Sequence, residues 1–257
     1  MTAPSTAALV ARLRAAGSVF AEDEADVLQS AATSPSGLEQ MVARRLAGEP
    51  LEVVVGWAEF RGVRVLVDPG VFVPRARTAV LVDHGLELIG PGAVVVDLCC
   101  GTGAVGLAVV AVLPAYDLHA ADLDPVAVAC ARRNVEPVGG QVHKGDLFAA
   151  LPPGLLADVL VVNAPYVPSG EVDLLPREAR DHEPRLSLDG GDDGVEIHRR
   201  VAEGAPARLS RRGVLLVETS ARQAGLTSVV VRGGGLVPRV VHDEALGATV
   251  VIGTRGA

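Results

Sequence analysis

Aromatic and sulfur-bearing side chains are scarce in this chain: seven aromatic residues, three cysteines and two methionines in 257 positions. Cys99 and Cys100 are adjacent and Cys130 stands alone, so there is no CxxC pair and no support for a disulfide scaffold. The thiols read as reduced, which fits a cytoplasmic setting. Positive charge is also in deficit. A net charge of −8 provides no counterion-release drive toward phosphate backbones, and stable nucleic-acid binding is not expected. The longest uncharged stretch, Leu98 to Tyr116, is interrupted by Gly101, Gly103 and Gly106 and ended by Pro114. A membrane span needs about 20 predominantly apolar residues in continuous helix, so no membrane association is expected. Met1 to Gly17 carries Arg12 and Arg14 but no apolar core, and Glu22, Asp23 and Glu24 follow, so no signal or transit peptide is read. The six histidines lack HxxxH and HExxH spacing, and no metal site is expected. There is no Gly-x-Ser-x-Gly elbow for nucleophilic hydrolysis either.

What is present is a core. Forty-nine per cent of residues are apolar and 21% are charged, enough for one large domain with a small appendage. The first 50 residues read as short helices over Ala7–Ala16 and Glu22–Ala32, then a third opened by the capping box Ser36-Gly37-Leu38-Glu39 and stopped at Gly48. Residues 51–67 read as a hairpin built on Val53-Val54-Val55, Trp57 to Gly62, and the alternating Val63, Val65 and Val67. This divides the chain into a helical lead-in at 1–50, a hairpin linker at 51–76 and a main domain at 77–257.

From Arg77 onward, strand-like and helix-like segments alternate, the pattern of a parallel sheet covered on both faces. The expected strands are Ala93–Asp97, Asp117–Asp122, Gly140–Lys144, Asp158–Asn163 and Gly213–Glu218. Two further strands, Leu236–His242 and Thr249–Ile252, suit an antiparallel hairpin at the sheet edge. The expected helices are Thr78–Ile89, Ala104–Val112, Pro125–Asn134 and Val195–Leu209.

The first of these strands runs from Val94-Val95-Val96-Asp97 into Leu98-Cys99-Cys100-Gly101-Thr102-Gly103 and then a helix. Glycines there let the backbone pass close beneath a ligand. Asp122 ends the next strand, where a carboxylate can accept both hydroxyl protons of a ribose. Gly101 to Gly106 also satisfies GxGxxG, so a nicotinamide dinucleotide must be weighed. Asp97 argues against it, because a carboxylate there would face a pyrophosphate. The same carboxylate suits S-adenosylmethionine, which carries an ammonium and a sulfonium.

Asn163-Ala164-Pro165-Tyr166 ends the fourth strand and resembles the Asn-Pro-Pro-Tyr motif of methyltransferases that act on planar NH2 groups. Such a nitrogen is a poor nucleophile because its lone pair is delocalised, so an enzyme must hold both hydrogens and aim the nitrogen at the methyl group. The Asn163 side-chain oxygen and the Ala164 carbonyl can accept those hydrogens, and Tyr166 can stack on the planar group. Ala164 stands where the motif usually has Pro; preceding Pro165, it is still steered to extended geometry.

Arg44-Arg45-Leu46-Ala47-Gly48-Glu49-Pro50, Glu59-Phe60, Val73-Pro74-Arg75, Gly145-Asp146-Leu147-Phe148, and Glu183-Pro184-Arg185 through Asp189-Gly190-Gly191-Asp192-Asp193-Gly194 follow in the order of one family's landmarks. Over nearly its whole length the chain resembles the protein-glutamine N5-methyltransferases that modify peptide-chain release factors. The resemblance implies an α/β, Rossmann-like class I methyltransferase core with a mostly parallel seven-stranded sheet, behind a small helical N-terminal domain used for substrate docking. It implies S-adenosylmethionine as cofactor and an exposed glutamine of a protein, release-factor-like, as substrate. It places cofactor binding on Asp97, Cys99, Cys100, Gly101, Thr102, Gly103, Asp122, Leu147 and Asn163. Chemistry falls on Asn163, Pro165 and Tyr166, and substrate binding on these with Ala164 and Arg75.

The chain departs from the family at Ala164, in a shortened lead-in, and after the Pro-Arg landmark, where Arg77 and Ala79 replace an acidic pair. The last change raises the expectation of a more acidic protein substrate. The alternatives are a nucleic-acid amino-methyltransferase, an NAD-linked oxidoreductase, and a binding-only descendant without catalysis.

Overall fold

A computed structural model describes residues 5–256; the first four positions of the lead-in and Ala257 lie outside the described residues. The lead-in contains α1 (Thr6–Ala15), α2 (Ala21–Ala31) and α3 (Pro35–Leu46), followed by a short α4 (Leu51–Val55). Their apolar faces form a separate cluster around Leu9, Leu13, Leu28, Val42 and Val54. Two local expectations need correction. The N-cap of α3 is Ser34, which accepts the Gly37 N–H at 3.0 Å with Pro35 in the first turn, and not Ser36; a proline at N1 is preset for helix and defines the start. Residues 51–55 are helical and not a strand of the hairpin, because Val53 and Val54 are buried and the turn is closed by Gly56 in the left-handed region.

The hairpin itself is β1 (Trp57–Phe60) paired antiparallel with β2 (Val63–Leu66). The main domain then follows as α5 (Ala79–Leu86), β3 (Ala93–Leu98), α6 (Ala104–Val110), β4 (Tyr116–Asp122), α7 (Pro125–Val135), β5 (Gln141–Lys144) and β6 (Ala157–Val162). After these come α8 (Arg177–His182), α9 (Glu196–Arg208), β7 (Leu209–Thr219), α10 (Ala224–Gly233), β8 (Val237–Asp243) and β9 (Ala248–Thr254). Asn134 on α7 fastens the hairpin to this domain, accepting the Leu66 N–H at 2.8 Å and donating to the Leu66 carbonyl at 3.0 Å.

The seven strands are ordered β5-β4-β3-β6-β7-β9-β8; the pairs among β3 to β7 are parallel, and β9 is antiparallel to both β7 and β8. Strands of this kind read as near-continuous Val and Leu because both faces are covered. One face packs Val95, Val159 and Leu216 against α5 and α6 residues such as Leu81 and Val109, and the other packs Val96, Leu160 and Leu215 against α9 residues such as Val201 and Ala205. The sheet order reverses at β3, with β4 on one side and β6 on the other. A crevice at the carboxyl ends of strands at such a switch point is where ligands bind in open α/β sheets.

Candidate functional site

Four parallel strands end in polar residues at this crevice: Asp97 in β3, Asp122 in β4, Asn163 just after β6 and Glu218 in β7. After β3 the chain turns through Cys99, Gly101 and Gly103, at φ of 56°, 55° and 79°. The left-handed region admits glycine freely, whereas Cys99 holds it at a cost of about 1–2 kcal/mol. The turn is fixed by the Asp122 carboxylate, whose Oδ2 accepts the Gly101 N–H at 2.9 Å and whose Oδ1 accepts the Asp124 N–H at 2.9 Å. Asp97 is buried, with Oδ2 accepting the Gly106 N–H of α6 at 2.9 Å. Burial outweighs that bond and pushes its carboxyl up to about 8. Burial, with help from Asp122 and Asp97, also pushes the Cys99 thiol far up, so it stays protonated and is no nucleophile.

Two cavities share a wall. The first takes in Asp97, Cys99, Cys100, Gly101, Thr102 and Asp122, with Leu147 on its side. Gly103 is not on that wall; it precedes α6 and packs under Val135 and Ala131. The second takes in Arg75, Arg77, Ala164, Tyr166 and Glu183. Asn163, Pro165, Phe72 and Ser187 line both. The structure therefore gathers most of the expected residues and divides them into two groups that meet at Asn163 and Pro165.

The Asn163–Tyr166 loop is held from behind. Gln223 Nε2 donates to the Tyr166 carbonyl at 2.8 Å and to the Asp193 carbonyl at 3.0 Å. Gly190 and Gly194 lie so close beneath that an added Cβ would sit 2.7 Å from the Pro165 oxygen and 2.4 Å from the Tyr166 oxygen. The Asp-Gly-Gly-Asp-Asp-Gly block is the floor of this loop, and only glycine fits at 190 and 194. In front, Arg75 Nη2 donates to Glu183 Oε1 at 2.6 Å, and that oxygen also accepts the Val73 N–H at 3.1 Å.

Three residues of the site were not singled out from the sequence. Thr78 Oγ1 accepts Asn163 Nδ2 at 3.3 Å. Glu218 Oε1 accepts the Tyr166 hydroxyl and Arg77 Nε, both at 3.3 Å, while Arg77 Nη2 donates to the same hydroxyl at 3.0 Å. Burial raises the Glu218 carboxyl against these contacts and pushes the Tyr166 hydroxyl up to about 12. The third is Gln223. For Glu218 a signal existed: a lone carboxylate closes the apolar run Val214-Leu215-Leu216-Val217, and across the sheet it stands level with Asp122 and Asn163, two residues beyond Asp97.

A glycine turn with an acidic residue on the neighbouring strand end, on this strand order and beside an Asn-x-Pro-Tyr loop, defines a class I methyltransferase. The pattern of the methyltransferase small domain matches residues 62–177. Among curated proteins, a release factor glutamine methyltransferase of Streptomyces coelicolor is 38% identical over 80% of this chain and 71% of its own length. One of Geobacter sulfurreducens is 37% identical over 72% of this chain and 65% of its own length. The chain belongs to the release factor glutamine methyltransferase family. Among solved structures, a T. thermophilus 16S rRNA methyltransferase in complex with AdoMet and guanosine has a TM-score of 0.57 at 17% identity, covering 78% of this chain and 50% of that one. At that identity the likeness concerns the fold.

Proposed function

We propose that this chain transfers a methyl group from S-adenosylmethionine to the side-chain amide nitrogen of a glutamine in a peptide-chain release factor. The observation that carries the reading is the wall between the cavities: Asn163 and Pro165 face a carboxylate-bearing chamber on one side and a Tyr166-bearing chamber on the other. The family to which the chain belongs supports the substrate class.

The first chamber fits the methyl donor. It has five carboxylates, with Asp97 and Asp122 joined by Asp124, Asp146 and Asp189, a left-handed turn bare of side chains at Gly101, and apolar walls from Leu123, Leu147 and Ile197. Once bound, the donor supplies an electrophilic methyl group on a positively charged sulfur. Asp122 has spent one lone pair of each oxygen on backbone N–H groups and keeps others for ribose hydroxyls. Asp97, protonated by burial in the donor-free protein, becomes the negative partner of the donor's ammonium when that cation arrives.

On the other side, Asn163 commits its NH2 to Thr78 and keeps Oδ1 to accept one hydrogen of the substrate amide. Ala164, extended ahead of Pro165, offers its carbonyl to the second hydrogen. Both acceptors localise electron density on the amide nitrogen as it attacks, which is positioning combined with electrostatic stabilisation. Tyr166, held at its hydroxyl by Arg77 and Glu218, presents a fixed ring to the planar group. The helical lead-in adds a docking surface for the protein substrate: Arg45 on α3 bonds Glu24 of α2 and Glu178 of α8, and α8 walls the second chamber.

Arg77 does not act as a free charge. Its guanidinium is engaged by Glu218 and Tyr166, so the expected shift to a more acidic substrate loses its basis. The test is to incubate the chain with labelled methyl donor and, separately, a release factor, RNA and DNA. Methyl on a release-factor glutamine, located by mass spectrometry, is the expected result; methyl on a base amine would replace this reading with the nucleic-acid one.

A further inference from the structure

Building on the amide-methylation reading, we propose that Thr78 and Glu218 are positioning residues that decide which end of the Asn163 side chain faces the substrate. An asparagine amide has a donor end and an acceptor end of nearly equal shape, so packing alone distinguishes them poorly. If the NH2 end faced the substrate amide, donor would meet donor and the nitrogen would be misaligned. Something must fix the sense.

The Thr78 hydroxyl has one proton to give. Asn163 Nδ2 donates to Thr78 Oγ1 at 3.3 Å, so that proton is free for another acceptor. The acceptor assigned to it in this proposal is the buried Glu218 carboxylate. Its side chain is 2% exposed, and Oε1 is occupied by Tyr166 and Arg77. Oε2 is buried without a formed hydrogen bond among the described residues, and the Thr78 hydroxyl stabilises the carboxylate charge. An ionised carboxylate only accepts. The direction Asn163 to Thr78 to Glu218 is thereby set by the acid at its end, and Asn163 Oδ1 is left for the acceptor nitrogen.

One carboxylate governs both ends of the motif, Asn163 through Thr78 and Tyr166 directly. Its charge is balanced by Arg77, which lies on the same 3-10 turn as Thr78, Ala76–Thr78. The arrangement is built from one turn before α5 and one strand end, 140 residues apart in sequence for Thr78 and Glu218.

The experiment measures kcat and KM on a glutamine peptide, and the Kd of S-adenosylhomocysteine by calorimetry, for wild type, Thr78→Val and Thr78→Ser. Valine keeps the shape and removes the hydroxyl; serine restores it. The expected result is a kcat loss of about 10-fold or more in Thr78→Val with Kd changed less than about 3-fold, and recovery of most of that loss in Thr78→Ser. Glu218→Gln, whose amide can donate back to Thr78, is expected to lower kcat in the same way. Turnover of Thr78→Val within about twofold of wild type would overturn the proposal. A parallel fall in donor affinity would also overturn it, by making Thr78 a prop for the fold. A wild type that methylates a base amine and no glutamine would remove the amide reading alone, because the valine and serine contrast on that amine would still decide the positioning role.

Discussion

Asp122 and Gly101 are joined across two strands: the carboxylate that ends β4 receives, at 2.9 Å, the N–H in the middle of the turn that follows β3. The carboxylate proposed to hold the ribose and the turn proposed to run beneath the donor are therefore one unit, and a change at Asp122 acts on both.

Asp122→Ala removes charge-assisted hydrogen bonds to the donor and releases the Gly101 N–H. We expect S-adenosylhomocysteine affinity to fall by about 2–4 kcal/mol in calorimetry. Binding of NADH with none of either methyl-donor form would falsify the cofactor assignment.

Asn163→Ala separates binding from chemistry. Because the role proposed for Asn163 is to align the acceptor nitrogen, kcat is expected to drop by about 10²–10³ while donor affinity changes less. Steady-state kinetics beside calorimetry makes the comparison, and near wild-type turnover would contradict the role.

Asp97 makes the donor-free protein sensitive to pH. Its carboxyl is pushed from 3.8 up to about 8 by burial, so the folded state holds a proton that the unfolded chain releases. Stability from this group is complete below about pH 4 and is lost as pH rises toward and through about 8, at up to about 1.4 kcal/mol per pH unit. Thermal melts from pH 5 to 9 should show Asp97→Asn gaining on wild type as pH rises. Saturating donor, whose cation favours the ionised form, should narrow the gap; a gap independent of pH would show that Asp97 does not titrate there.

Arg77→Asp places a second acid beside the buried Glu218. The expected outcome is a loss of about 1–3 kcal/mol of stability, discounted because Arg77 is half exposed, and lower turnover on a release factor. Denaturant melts and kcat/KM check it. Improved turnover in this variant would restore the view that Arg77 shifts substrate choice.

The alternation of strands and helices was legible because β3, β6 and β7 are short Val- and Leu-rich runs closed by polar residues, and Asp97, Asp122 and Asn163 stand at those closures. Elements decided by packing were not. No element was expected over α10, where the β-branched run Val229-Val230-Val231 is helical because burial of Thr227 and Val231 at helical spacing prevails over β propensity. The same holds for Val53 to Val55 in α4. In the site, the Asn-x-Pro-Tyr loop and its place at the end of a strand were visible from residue types. The Thr78 to Glu218 connection was not, since a hydrogen-bond path between distant segments leaves no local spacing. Gly190 and Gly194 were visible as a glycine block, but their closeness to Pro165 and Tyr166 is a tertiary fact.

The polar residues 97, 122, 163 and 218 are supplied by β3, β4, β7 and the end of β6, so the candidate site is spread across most of the main domain's sequence. Contacts of such separation form late, after the loops between them have closed. A chain cut before β7 lacks both Glu218, which receives the Tyr166 hydroxyl, and Gln223, which holds the Asn163–Tyr166 loop from behind. Methyl transfer is then a property of the finished sheet, and its onset during synthesis or refolding is a clock for the moment at which β7 takes its place beside β6.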